Sequence, residues 1–154
     1  MSKQAGEYHL NIAGEFFVAA QLQRLRIPAS VTYGNAKKAD VVAFSEDGAK
    51  AVTIEVKSTS QPKWIIGSYI PTQGNNPWVL VYIPPDAASS PAYYIMTQNE
   101  ISEIVLPVSQ AYNAKYKEKH GVEYGNKPGV VSLAQKDAEA HKDAWHKIIE
   151  QLKT

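Results

Sequence analysis

Between residues 38 and 58, KADVVAFSEDGAKAVTIEVKS, two short apolar runs flank a Glu46-Asp47-Gly48 turn signal. The pattern predicts a β-hairpin with strands near 39–45 and 50–57. In a hairpin the start of the first strand lies beside the end of the second, so Asp40 and Glu55 are expected close together. Side chains alternate across a strand, so Glu55 and Lys57 share a face. Val56 points the other way, but its backbone carbonyl stays at the site. Two carboxylates and a carbonyl make an all-oxygen pocket of the kind Mg²⁺ takes while keeping several waters. A lysine beside it is placed to hold or deprotonate one of those waters. These are the parts of metal-assisted phosphodiester hydrolysis. The competing explanation is plain: Glu and Lys on an exposed hairpin face also serve as solvated cross-strand partners.

The rest of the chain sets limits on that reading. Its 154 residues suit one domain with a single substantial core. The formal net charge is +1, with 16 Lys and Arg against 15 acids, so no global basic field marks a nucleic-acid binder. A local basic face remains open. Cysteine is absent, which excludes disulfides, zinc–thiolate sites and thiol nucleophiles. That composition suits a reducing cytoplasm, the expected location. No long apolar span or signal peptide is visible, so no membrane partner is expected.

Residues 6–26 are predicted as a helix with an apolar face of Leu10, Ala13, Phe17, Ala20 and Leu25, stopped by Pro28. Glu15 lies beside that stripe. If the helix packs across the hairpin, Glu15 reaches the Asp40–Glu55 site; otherwise it is a solvated helix glutamate. Residues 29–35 read as a strand. Lys37 and Lys38, just before Asp40, are candidates for a phosphate backbone. After Lys57 the chain turns polar, and Ser58 and Lys63 in the expected loop 58–64 are candidate substrate contacts. Trp64 either stacks on a base or caps a core edge. Residues 78–83, WVLVYI, predict a central strand buried on both faces. Residues 92–96 should pair back on it. Thr97 and Glu100 then form a capping box. Pro107 is expected to break the following helix, with a second piece over 109–119. Its end, KYKEKH at 115–120, is either a DNA-facing patch or a solvated face. A short strand is expected over 130–133. A closing helix over 136–153 packs through Trp145, Ile148, Ile149 and Leu152. Asp137, His141 and His146 on it read as surface residues.

The order of a helix-borne Glu15, a strand, Asp40, a turn and Glu55-Val56-Lys57 resembles the PD-(D/E)xK nuclease superfamily, the fold of type II restriction enzymes and archaeal Holliday-junction resolvases. The resemblance is specific over residues 14–57, about a third of the chain, and looks most like the resolvase-type and small restriction-endonuclease-like branches. Ala39 stands where many members have Pro. The resemblance implies an α/β, restriction-endonuclease-like fold with a central mixed sheet flanked by helices. It implies Mg²⁺ or Mn²⁺ held by Asp40, Glu55 and the Val56 carbonyl, with Lys57 orienting the attacking water and Glu15 completing the shell. Ser58 and Gln61 are substitutes for a further polar residue that many relatives carry downstream. The function implied is a metal-dependent nuclease acting on double-stranded or branched DNA. A duplex has two strands to cut, so a homodimer belongs to the same expectation. The alternative is a catalytically inactive module of this fold that binds nucleic acid or a protein partner. Occupation of all four acid and lysine positions argues against a dead site. A third reading, a small partner protein, requires an exposed apolar patch to which Trp64, Trp78 and Tyr82 would contribute.

Overall fold

A computed structural model describes residues 3–33, 40–67, 74–122 and 131–154. Helix α1, Lys3–Arg24, leads into strands β1, Ala29–Val31, β2, Val41–Phe44, and β3, Ala51–Thr59. Then come β4, Lys63–Gly67, β5, Pro77–Tyr82, and β6, Ala92–Thr97. Helix α2, Gln98–His120, strand β7, Val131–Ala134, and helices α3, Gln135–Ala138, and α4, His146–Lys153, complete the chain. Five strands form the central sheet in the order β1-β2-β3-β5-β6, and β4 and β7 form a second sheet of two. Among the described residues only β3 and β5 run parallel; the other pairs are antiparallel. The result is a mixed α/β fold, a central mixed sheet flanked by helices, as the sequence leads one to expect.

The hairpin forms for local reasons. Gly48 takes φ +74, a left-handed value that suits glycine. The Asp47 carboxylate accepts from the Ser45 hydroxyl at 2.7 Å and the Ala49 amide at 3.0 Å, which closes the turn. Beyond the turn β2 and β3 stay in register, Val41 opposite Ile54 and Phe44 opposite Ala51.

Strand β5 is buried on both faces. Val79 and Val81 join the core beneath α1 and α4, together with Val18, Leu22 and Ile148. Leu80 faces a second core with Trp64, Tyr94 and Met96, closed by Ile101 and Val105 of α2 and Leu133 of β7.

Several expectations need correction. Residues 58–64 are not a polar loop: β3 runs on to Thr59, and Lys63 opens β4. Trp64 is fully buried and donates its indole N–H to the Val81 carbonyl at 2.9 Å, so it neither stacks on a base nor joins an exposed patch. On α1 the buried side is Gly14, Glu15, Val18 and Leu22, while Phe17 and Leu25 stay about two-fifths exposed. The reason is Gly14. With no side chain it lets the helix backbone close onto β3, where a Cβ would overlap the Ser58 hydroxyl, and this rotates the larger residues outward. The helix ends with Arg26 at φ +64 and the Ile27 amide bonded back to the Leu22 carbonyl at 2.9 Å, a Schellman-type stop just before Pro28. Pro107 does not split α2; one hydrogen bond is lost, but the helix is continuous from Gln98 to His120.

The closing helix, in contrast, is broken. After α3 and a 3-10 turn at Glu139–His141, Asp143 adopts φ +55 and gives its amide to the Tyr93 carbonyl at 2.9 Å. Pairing with the edge of β6 at Tyr94 and Lys142 overrides helix propensity there. Trp145, Ile148, Ile149 and Leu152 do pack against the core.

Nor is His141 a surface residue. Its Nδ1 lies 2.8 Å from the Lys147 ammonium and 3.2 Å from Glu100 Oε2. Lys147 also donates to Glu100 Oε1 at 2.9 Å and to the Ile95 carbonyl at 3.0 Å, tying α4 to β6 and to the start of α2. Glu100 meanwhile completes the expected capping box with Thr97. Burial raises the Glu100 carboxyl, but the Thr97 amide and Lys147 outweigh it, so its pKa sits below 4.5. Burial and then Lys147 hold His141 below 6.5, against the pull of Glu100. The signs are the same. Below about pH 6.5 the unfolded chain takes up the imidazole proton first, and near pH 4.5 it takes up the carboxyl proton first. Unfolding free energy should therefore fall as pH drops from neutral through both windows. Lys147→Met should flatten that fall, as read by urea denaturation at several pH values; equal slopes for both proteins would show that the clasp does not set the titration.

Candidate active site

Asp40 lies one residue ahead of β2. Its amide bonds to the Ile54 carbonyl at 3.1 Å, and its own carbonyl accepts from the Thr32 amide at 3.0 Å. The β2–β3 ladder ends with Val41 opposite Ile54, and because the Asp40 amide also turns to the Ile54 carbonyl the regular register stops there. Asp40 Oδ2 accepts the Val56 amide at 2.9 Å, so the carboxylate itself extends the ladder where the backbone of the first strand leaves it. One carboxylate oxygen is thereby locked along β3. In an extended strand the N–H and C=O of one residue point to the same side. The Val56 carbonyl is accordingly directed to the Asp40 side of β3.

Glu55 and Lys57 occupy the opposite face of β3 from Val56, which is buried against α1 and α4. Lys57 Nζ stands 3.8 Å from Glu55 Oε1 and 5.9 Å from the centre of the Trp78 ring. Trp78 is the register partner of Glu55 across the parallel pair, and Leu80 is the partner of Lys57. The sheet thus presents the lysine between a carboxylate and an aromatic face, with about a third of each charged side chain exposed. The Trp78 contact was not readable from the sequence, because it depends on β3 pairing in parallel with a strand about twenty residues on.

Glu15 is buried, 7% exposed, on the side of α1 that closes onto β3. Its neighbour Gly14 sits against Ser58 and Val56, which brings the helix to the same strand that carries the triplet. Among the described residues no three His, Cys, Asp or Glu side chains converge as a metal cage. Glu15 therefore does not form a compact three-acid cluster with Asp40 and Glu55. The Asp40 carboxylate and the Val56 carbonyl lie on one side of β3, and Glu55 is the residue before Val56 on that strand. That set fits Mg²⁺ chemistry, since this ion commonly uses one or two carboxylates and fills its remaining positions with water and substrate phosphate.

The remaining candidates divide. The Ser58 hydroxyl is buried under α1, without a hydrogen-bond partner among the described residues, so it is not turned to solvent. Lys63 is exposed at the start of β4. Lys37 and Lys38 lie outside the described residues. Asp137 and His146 are exposed. No helix among the described residues is long and apolar enough to cross a membrane.

A mixed sheet between helices, with Asp40, Glu55 and Lys57 near the junction of its antiparallel and parallel strands, is the architecture these elements define. The solved structure of a bacterial homing endonuclease, I-Ssp6803I, is similar over 94% of this chain and 93% of that one, with a TM-score of 0.56. At 10% identity the likeness is one of fold. No protein-family model matches the chain, and no curated protein matches it in sequence.

Proposed function

We propose that this protein is a metal-dependent nuclease of the PD-(D/E)xK type that hydrolyses phosphodiester bonds in DNA. The observation that carries this reading is the 2.9 Å bond from the Val56 amide to Asp40, which holds the acid beside the Glu55-Val56-Lys57 triplet. The fold shared with a homing endonuclease supports it from a separate direction. Asp40, Glu55 and the Val56 carbonyl would hold Mg²⁺ or Mn²⁺. Such an ion supplies Lewis acidity toward the phosphoryl oxygens and makes water more acidic. Lys57 would orient the attacking water and offset charge on the phosphoryl group as the new P–O bond forms and the bond to the 3′ oxygen breaks. Glu55 and the Trp78 face keep the lysine head in place before substrate arrives. Buried Glu15 would act on this centre from α1, through a water. A duplex substrate and a homodimer belong to the same proposal.

That no three acids converge among the described residues favours one second reading, a module of this fold that binds without cutting. Calorimetry with Mg²⁺ and Mn²⁺ tests the metal site. Wild type should bind, and Asp40→Ala and Glu55→Ala should each weaken binding at least about tenfold, as expected when one of two anionic ligands is lost. Equal binding by wild type and both variants would remove the two acids from the metal site. Absence of wild-type binding even with a non-cleavable duplex would remove the metal from the proposal.

A further inference from the structure

Strand β5 begins beside the triplet, and the three residues before it are held by two helices. The Gln98 amide donates to the Asn76 carbonyl at 3.0 Å, and the Asn99 amide donates to the Gly74 carbonyl at 3.2 Å. Gly74 in turn gives its amide to Asn99 Oδ1 at 3.1 Å. From α4 the Gln151 carboxamide donates to the Asn75 carbonyl at 2.6 Å. A Cβ at Gly74 would meet Gln98 Oε1 at 2.9 Å, so the segment closes directly onto the start of α2. All three carbonyls of residues 74–76 are thus taken up by α2 and α4. Helix α4 is itself fixed at that corner, since Lys147 bridges Glu100 and the Ile95 carbonyl. A segment held at every residue presents its side chains with little ordering cost on binding.

Backbone geometry places Asn76 on the side of the triplet. Pro77 follows it, and the residue before a proline is driven to extended backbone. The bond from the Gln98 amide to the Asn76 carbonyl flanks the Pro77–Thr97 pair as the last rung of the β5–β6 ladder. In extended chain Asn76 and Trp78 share a face. Trp78 is the register partner of Glu55, and Lys57 Nζ stands 5.9 Å from its ring centre. Asn76 is therefore about 7 Å along the strand from the partner of Glu55. It is exposed. Fold preference does not account for an asparagine there. Strands disfavour it, and its φ is negative, so it does not serve as a left-handed turn residue. Its side chain offers a donor and an acceptor side by side without charge. Phosphate is better met by lysine and Mg²⁺ by carboxylate. The paired amide fits the edge of adenine, accepting from N6 and donating to N7.

We propose that Asn76 is a specificity-determining residue, whose carboxamide reads the N6 and N7 edge of an adenine flanking the scissile phosphate. This rests on the reading of the protein as a DNA nuclease and adds a sequence preference to it. The test is cleavage of a pool of random-sequence duplexes with Mg²⁺ or Mn²⁺, with the product ends sequenced. Wild type should favour adenine at one fixed distance from the cut by at least about fivefold over the other bases. Asn76→Ala should reduce that preference to less than about twofold. Asn76→Asp should move it toward cytosine, whose N4 amino group donates to a carboxylate. A purely structural role of the side chain does not produce that exchange of bases. Asn75→Ala is the control, an exposed neighbour at the alternate position, and it should keep the adenine preference. Asn76→Ala leaves the backbone bonds of the segment in place, so its thermal midpoint should match that of wild type. A wild type that cuts without a fixed adenine would overturn the assignment and leave the nuclease standing. An Asn76→Ala enzyme that keeps the preference would do the same. So would one that slows equally on every sequence, since the residue would then serve the backbone alone. A wild type that cuts no member of the pool would overturn the nuclease reading and this one with it.

Discussion

Trp64→Ala should cost about 4 kcal/mol of unfolding free energy, a large share of the roughly 5–15 kcal/mol that holds a domain together. The indole is fully buried and fills the core between β5, β6, α2 and β7. Its ring meets Tyr94 edge-on at 5.2 Å. Removing it opens a cavity that the surrounding strands close only in part. It also strips a 2.9 Å hydrogen bond from the buried Val81 carbonyl, worth about 1 kcal/mol net. The second sheet suffers most. β4 and β7 make a two-stranded pair, which is not stable in water without a packed face. Urea denaturation of wild type, Trp64→Phe and Trp64→Ala separates the contributions. Phe keeps the aromatic packing and loses the N–H, so it should fall between the other two. A loss below about 1 kcal/mol for Trp64→Ala would mean that the small sheet is not packed on the large one.

That tryptophan also shows where the sequence stops being informative. Around Trp64 the chain reads Ser-Thr-Ser-Gln-Pro-Lys, a loop by composition, and nothing local says that β7 will arrive some seventy residues later to pair with it. Long-range pairing settles such a strand, and local pattern does not. The same holds for the end of the chain, where the edge of β6 interrupts a helix that periodicity alone would continue. Helix α1 fails in a different way. Its existence and its stop before Pro28 are legible, but its buried face is not. Apolar periodicity favours Phe17, whereas contact is decided by Gly14, the residue with the least to bury. The hairpin was readable for the opposite reason. Its turn and register lie within about twenty residues, so alternation alone sets Val41 against Ile54 and brings Asp40 to the strand of the triplet, where its carboxylate takes the Val56 amide. Strand β5 was equally plain, because only a strand buried on both faces tolerates so unbroken an apolar run. The Glu100–His141–Lys147 clasp left no pattern, since its three members come from three elements.

Under the proposed nuclease function, Lys57→Ala should lower the rate of DNA cleavage by about a hundredfold to ten-thousandfold while leaving metal binding intact. The two effects separate because in that proposal the lysine is a cation beside Glu55 and not a ligand to the metal. Its ammonium is 3.8 Å from Glu55, so its removal takes away a positive charge that competes with a bound cation, and metal affinity should hold or rise. The rate falls because no other cation of the triplet faces the phosphoryl group. Lys57→Arg should recover little: a guanidinium does not give up its proton, and its planar fork differs from a compact ammonium resting against Trp78. Asp40→Ala is the contrasting variant. It should lose metal binding and cleavage together, and it frees the Val56 amide from its 2.9 Å partner. Calorimetry and a single-turnover cleavage assay on the same preparations give both readouts. A Lys57→Ala enzyme that cuts at the wild-type rate would remove the lysine from the chemistry. If wild type binds duplex and metal yet cuts nothing, the lysine is a solvated partner of Glu55, and the fold serves here to hold DNA. The Lys57 variant then separates the two cases again, since in a pure binder its loss should alter only the salt dependence of affinity, by about one phosphate contact.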